Sequence, residues 1–242
     1  LFAGRRWLPF VQGAYDRRDY DAVSDDFGFE RDSEGFASAL GTAVRLGDAA
    51  GGELFVGYMT QDHEDPRFDR IRAWDMGARL EAALTARTRA QLSVDRNIDE
   101  TTLIGSPGAV NTVTSLDLSH RFSPRLTASV PAYYIRSDFE QIPREDDVSG
   151  FGFGLSYRLT ERLAVSGRYT FERRESTVAS ADYDNHIALL ALQAQAARSS
   201  LEDLEPSADH GVYAGLQAGQ TFHETEVEGP RGPADSFGTV EN

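Results

Sequence analysis

The sequence predicts an all-β chain, folded as an antiparallel, up-and-down transmembrane β-barrel of about ten or more strands. Three observations lead there. Apolar and polar residues alternate over long segments. The connections between those segments are short and long by turns. No apolar run reaches the ~18 residues that a membrane helix needs.

The alternation starts weakly and strengthens along the chain. Trp7 to Tyr15, Phe36 to Leu46 and Leu54 to Tyr58 give the first three candidate strands. In the fourth, Trp74, Met76, Ala78, Leu80, Ala82 and Leu84 oppose Asp75, Gly77, Arg79 and Glu81. Ala90, Leu92 and Val94 oppose Gln91, Ser93 and Asp95, and Leu116 and Leu118 oppose Ser115, Asp117 and Ser119. Leu126, Ala128, Val130, Ala132 and Tyr134 form the next apolar row. Phe151, Phe153, Leu155, Tyr157 and Leu159 then oppose Gly152, Gly154, Ser156 and Arg158. Leu163, Val165, Gly167, Tyr169 and Phe171 oppose Ala164, Ser166, Arg168 and Thr170, and Ile187 to Ala194 gives a last strand before residue 197. A period of two sends each set to one face of a strand.

Short turns are expected near Gly47 to Gly52, Thr85 to Thr88, Ser123-Pro124 and Thr160-Glu161. Longer, charged connections are expected near Asp21 to Ser33, Asp62 to Arg70, Asn97 to Gly108, Ser137 to Asp147 and Glu175 to Asp184. Two rims that differ in this way belong to a membrane barrel, with short periplasmic turns and longer outer loops. Backbone groups find no water in hydrocarbon, so the strands must pair with one another. The apolar row then faces lipid. The polar row carries bulky charges, which favours placing it inside; the expected lumen-facing residues are Asp75, Arg79, Glu81, Asp95, Arg158 and Arg168. Trp7, Phe122 and Tyr157 fall toward the short-turn rim, and Tyr15, Tyr134, Tyr169 and Phe171 toward the long-loop rim, as interfacial girdles would.

Composition excludes several functions. A net charge of −15 argues against a nucleic-acid partner, which needs clustered positive charge. The absence of cysteine removes disulfides, thiolate nucleophiles and Cys-based zinc sites. No phosphate loop, H-E-x-x-H helix, G-x-S-x-G elbow or EF-hand spacing occurs, and no cofactor is expected. Gly152-Phe153-Gly154 sits in mid-strand, where glycine relieves crowding rather than cradling phosphate. His63 and His186 lie near Asp62 and Asp184 at the outer rim, the placement a surface protease would use. Solvated loop histidines explain them more simply, and no enzyme is expected. The loop acids Asp25, Asp26, Asp62, Glu64, Asp65, Glu145, Asp146 and Asp147 could hold a divalent cation against lipopolysaccharide phosphate, but no defined metal site is expected there.

Several stretches resemble a family of outer-membrane β-barrel porins of Gram-negative bacteria. They are Ala14-Tyr15-Asp16-Arg17-Arg18-Asp19-Tyr20-Asp21, Gly57-Tyr58 with Gln61-Asp62 and Asp65-Pro66-Arg67-Phe68, and Asp95-Arg96-Asn97 with Glu100-Thr101-Thr102. Arg144-Glu145-Asp146-Asp147 with Gly152-Phe153-Gly154 fits the same pattern. The resemblance implies a barrel in the outer membrane, bathed by lipid and lipopolysaccharide, and a porin-like passive passage for solutes. A structural or surface-interaction barrel without an open pore is the alternative.

The expected organisation is a barrel over residues 1–196, short of further strands that family members carry upstream, then a polar linker over 197–210 and an extra strand with a mobile loop over 211–242. Ile187 to Ala194 is similar to a closing strand that lacks a terminal aromatic. Val212 to Gly219 resembles the opening strand of small outer-membrane surface-antigen barrels. Two readings stand for it: the start of a second barrel, or one more strand of the first.

Overall fold

The structure is a computed structural model that describes residues 5–21, 24–47, 49–195 and 213–224. The linker expected over 197–210 and the tail beyond Glu224 lie outside the described residues. The elements are β1 (Arg5–Arg18), β2 (Ser33–Leu46), β3 (Ala50–His63), β4 (Ile71–Ala83), β5 (Thr88–Glu100), β6 (Gly108–Arg121), β7 (Leu126–Phe139), β8 (Glu145–Arg158), β9 (Leu163–Ser176), β10 (Tyr183–Gln195) and β11 (Tyr213–Glu224). One 3-10 turn, Ala179–Ala181, precedes β10. The strands form a single eleven-stranded sheet in chain order, antiparallel throughout. Among the described residues β1 and β11 are its two edges. Ile187 to Ala194 therefore does not end the sheet: β10 pairs onward with β11 from Asp184↔Glu224 to Gln195↔Tyr213.

The register carries the alternation intact across the sheet. Val11 faces Leu40, Leu40 faces Val56, and Val56 faces Met76. Further on, Leu92 faces Leu116, Leu116 faces Ala132, and Phe151 faces Phe171. These rows make one outer face. Trp7, Val11, Leu40, Val56, Trp74, Leu92, Leu116, Phe153 and Leu190 on it are all exposed. Bare apolar side chain spread over eight strands has no place in water and is what acyl chains cover.

The strands run longer than a bilayer needs. Most are 13 or 14 residues, against roughly 9–11 for a tilted span. The surplus lies at the outer ends. Several long connections expected from the sequence are consequently shorter: Asn97 pairs with Asn111, Asn111 with Ser137, and Asp138 with Glu145, all inside strands. There the outward row is interrupted by Arg96, Thr112, Arg136 and Asp138, so the alternation that marks the lower strands does not reveal the pairing.

The short turns are closed by local chemistry. Thr85 Oγ1 accepts from the amides of Arg87 (3.1 Å) and Thr88 (2.9 Å). Ser123 Oγ accepts from Arg125 (3.2 Å) and Leu126 (3.1 Å), and Thr160 Oγ1 accepts from Arg162 (3.2 Å). Gly47, at φ 68°, supplies the left-handed residue of the remaining turn.

On the inner face, aromatic rings lie over cross-strand glycines. Phe10 is opposite Gly41, Phe55 opposite Gly77, and Tyr133 opposite Gly150. A Cβ at Gly150 would sit 2.2 Å from Tyr133 Cζ, so the ring takes the place a side chain would fill.

The two faces make a direct prediction. Leu116→Arg, in mid-β6 on the outer face, should cost about 2–4 kcal/mol of folding stability in lipid vesicles. Asp117→Arg, one residue on and facing inward, should leave urea unfolding in the same vesicles nearly unchanged. Equal penalties would mean that the outer face does not meet lipid.

Candidate functional site: the inner face and the outer mouth

All six charged residues singled out in the sequence fall on the face opposite the apolar belt. Asp75, Arg79 and Glu81 share it on β4 with Gly77, whose partner is Asp95. Arg158 and Arg168 share it on β8 and β9, where Gly154 faces Arg168. Asp75 is buried; the other five are exposed. Arg79 lies 3.9 Å from Glu53, its register partner. Toward the short-turn end this face opens as a concavity of about 1040 Å³ lined by Arg45, Glu53, Arg79, Glu81, Arg89 and Asp117. Three guanidinium groups and three carboxylates line one open hollow, a surface suited to water.

The outer end is built differently. Its long loops pack against one another. In the β1–β2 connection, Asp25 accepts the amides of Phe27 and Phe29, both at 2.9 Å, and its other oxygen takes Arg31 Nε at 2.9 Å. Phe29 stacks on Phe68 of the β3–β4 connection with 5.0 Å between centroids. Asp65, only 2% exposed, accepts from the Glu30 amide (3.0 Å), the Arg67 amide (2.9 Å) and Arg67 Nε (2.8 Å). Gln141, from the β7–β8 connection, donates to Arg67 O at 3.1 Å and accepts the Asp69 amide at 3.0 Å.

Arg31 is the centre of this cap. It is 8% exposed and donates to three carbonyls of the β5–β6 turn: Thr101 (2.9 Å), Ser106 (2.8 Å) and Leu103 (3.4 Å). Glu100, at the end of β5, accepts from Ser33, Tyr20 and Arg18, and Gln61 in turn donates to Ser33 Oγ at 2.9 Å. Farther round, Asp146 is held by Arg144, Arg174 and Ser176.

The acids read in the sequence as solvated loop charges thus divide. Asp25, Asp65 and Asp146 are structural acceptors because backbone amides and arginines converge on them. Glu64 does join an exposed group with Glu30 and Asp32, whose carboxylate oxygens lie within 4.8 Å of one another. Asp32 already accepts the Tyr20 amide there at 2.7 Å. The rim histidines are not brought into a carboxylate–imidazole pair. Neither ring nitrogen of buried His63 has a hydrogen-bond partner, and Asp62 pairs with Arg70. His186 shares a hydrogen bond of 2.7 Å with the Tyr169 hydroxyl.

Sequence reasoning missed Arg31, Ser33 and Tyr20 as a unit. They lie in a polar connection without periodicity, and only the fold brings Ser33 and Tyr20 to Glu100 and Arg31 to the carbonyls of the β5–β6 turn.

The meander, its exposed apolar belt and its charged inner face define an outer-membrane β-barrel protein. Residues 6–196 match the family model described as putative beta-barrel porin 2, and the chain belongs to that family. It is a porin-like barrel of the bacterial outer membrane, in contact with membrane lipid. No curated protein matches it. Among solved structures it is similar to in-vitro folded OmpT, an outer membrane protein of Vibrio cholerae, in its trimer form. Identity there is 11% over 89% of this chain and 87% of that one, with a TM-score of 0.46. It is also similar to the TodX deltaS2S3 mutant monoaromatic hydrocarbon channel, at 14% identity over 94% of this chain and 77% of that one, with a TM-score of 0.38.

The cap has a defined response to acid. Hydrogen bonds from the Arg67 side chain, with those from the Arg67 and Glu30 amides, hold the Asp65 carboxyl well below the usual carboxylate range against the opposing effect of burial. Asp25 is lowered too, first by the Phe29 amide. A depressed carboxylate contributes stability above its unfolded pKa of about 3.9 and loses it only as pH falls through the folded value. Amide protection in residues 64–70 should persist from neutral pH to about 4 and decline in stronger acid, as read by hydrogen exchange corrected for intrinsic rates. Asp65→Ala should remove that protection at neutral pH.

Proposed function

We propose that the inner face lines an aqueous passage through which small polar solutes diffuse, and that the chain performs no catalysis. One observation carries this reading: Arg79, Glu81, Asp95, Arg158 and Arg168 are exposed on the side away from lipid. Charged side chains that remain exposed inside a sheet of this kind need water around them. The carboxylates and guanidinium groups are mixed, which suits hydrophilic solutes of either sign rather than an apolar ligand. The outer leaflet would supply lipopolysaccharide as the partner of the outer rim, and the net charge of −15 disfavours nucleic acid.

A second reading, a structural or surface-interaction barrel without an open pore, draws support from the four loops hydrogen-bonded over the mouth. Planar bilayers decide between the two. The passage predicts discrete conductance steps, and Arg158→Glu with Arg168→Glu should shift the zero-current potential in a salt gradient toward cation preference. Absence of steps from refolded, heat-modifiable protein would favour the structural barrel.

A further inference from the structure

The sheet order separates β2 from β5 by two intervening strands. Side by side, three strand spacings would set them about 14 Å apart. Yet Ser33 at the start of β2 hydrogen-bonds Glu100 at the end of β5. The sheet makes this contact by parting. β4 and β5 pair from Ala83↔Arg89 to Gly77↔Asp95 and no further, whereas β5 and β6 stay paired to Glu100↔Gly108. Above Asp95 the hairpin leaves its neighbour and leans across the inner face of β4 and β3. Ile98 and Val110 pack there on Met59, Ile71 and Ala73. Ile98 and Val110 continue the even-numbered row that faces lipid lower down, at Leu92 and Leu116. Here that same side is covered by the inner face of β3 and β4. The opposite side of the hairpin carries Asp99, hydrogen-bonded by Asn97 (2.7 Å) and Asn111 (2.6 Å), and it remains exposed to the interior.

We infer that the upper half of the β5–β6 hairpin is the size-selecting element of the passage, held inside the mouth by two positioning residues, Glu100 and Arg31. The inference rests on the passive-passage reading. Glu100 ties the end of β5 to Ser33, Tyr20 and Arg18 of the first hairpin. Arg31 grips the turn through three of its carbonyls, and Ser106 and Pro107 in that turn are fully buried. The apolar contact of Ile98 and Val110 gives the hairpin a seat, and the two polar ties fix how far it reaches inward. Removing either tie leaves the strands in the membrane paired as before, because the ties lie beyond the last β4–β5 pair.

The test uses the full chain refolded into planar bilayers, with graded polyethylene glycols to measure the largest polymer that enters. Glu100→Gln and Arg31→Ala should each raise unit conductance and admit larger polymers, while still migrating as folded, heat-modifiable protein. Arg173→Ala, which removes exposed rim ion pairs away from the hairpin, should behave as wild type. The chain has no cysteine, so Ser33→Cys combined with Glu100→Cys gives a background-free lock. Oxidised, it should restore wild-type conductance and cut-off; reduced, it should resemble Glu100→Gln. A conducting wild type whose conductance and cut-off are unchanged in the folded variants would overturn the inference and leave the pore. A silent wild type with conducting variants would support the hairpin as the occluding element. Silence in both would overturn the hairpin and the pore together.

Discussion

Hydrogen-bond satisfaction in a solvent that offers none is the constraint on which the rest of this structure depends. Lipid-facing backbone must pair strand to strand. That requirement explains the unbroken chain-order sheet and the serine and threonine acceptors that close its turns. The β4–β5 ladder parts above Gly77 and Asp95, toward the outer end, and there Ile98 and Val110 of the parted hairpin cover the inner face of β3 and β4.

Because the outer face is given to lipid, it cannot supply a protein core. Tight packing appears instead at the outer rim and just inside it. The apolar cluster of Met59, Ile71, Ala73, Ile98 and Val110 lies there, and so do the buried polar groups Arg31, Ser33, Gln61, Asp65 and Ser106. Each buried carboxylate in that cap meets amides or guanidinium groups, as the cost of an unpaired buried charge requires. The cap is therefore rigid where a solvated loop would be mobile, and a rigid cap can define a bore.

The faces of the strands were legible in the sequence because period two is a one-dimensional signal. Trp74 against Asp75, or Phe153 against Gly154, needs no knowledge of neighbours. The inward lean of β5–β6 was illegible for the same reason. Ile98 and Val110 continue the row of Leu92 and Leu116, and nothing in the alternation says that one pair meets protein and the other lipid. The glycines opposite Phe10, Phe55 and Tyr133 were hidden too, since their meaning depends on register. Asp25 and Asp65 looked like solvated charges because an acceptor's partners, here amides and arginines of other loops, are not written beside it.

The inner carboxylates make the strongest argument for water within. At the rim, Asp65 and Asp146 are almost fully buried and each has several donors. Below it, Asp75 and Asp95 lie near one another on the inner face, and among the described residues neither forms an ion pair. A filled, dry interior would leave two neighbouring carboxylates without counter-charge, at a cost of several kcal/mol for each. Asp95 is exposed, and hydration offsets that cost without a protein partner. Asp65 and Asp146 are thus neutralised where the loops exclude water, and Asp95 is left free where they do not. The boundary between the two lies at the upper β5–β6 hairpin.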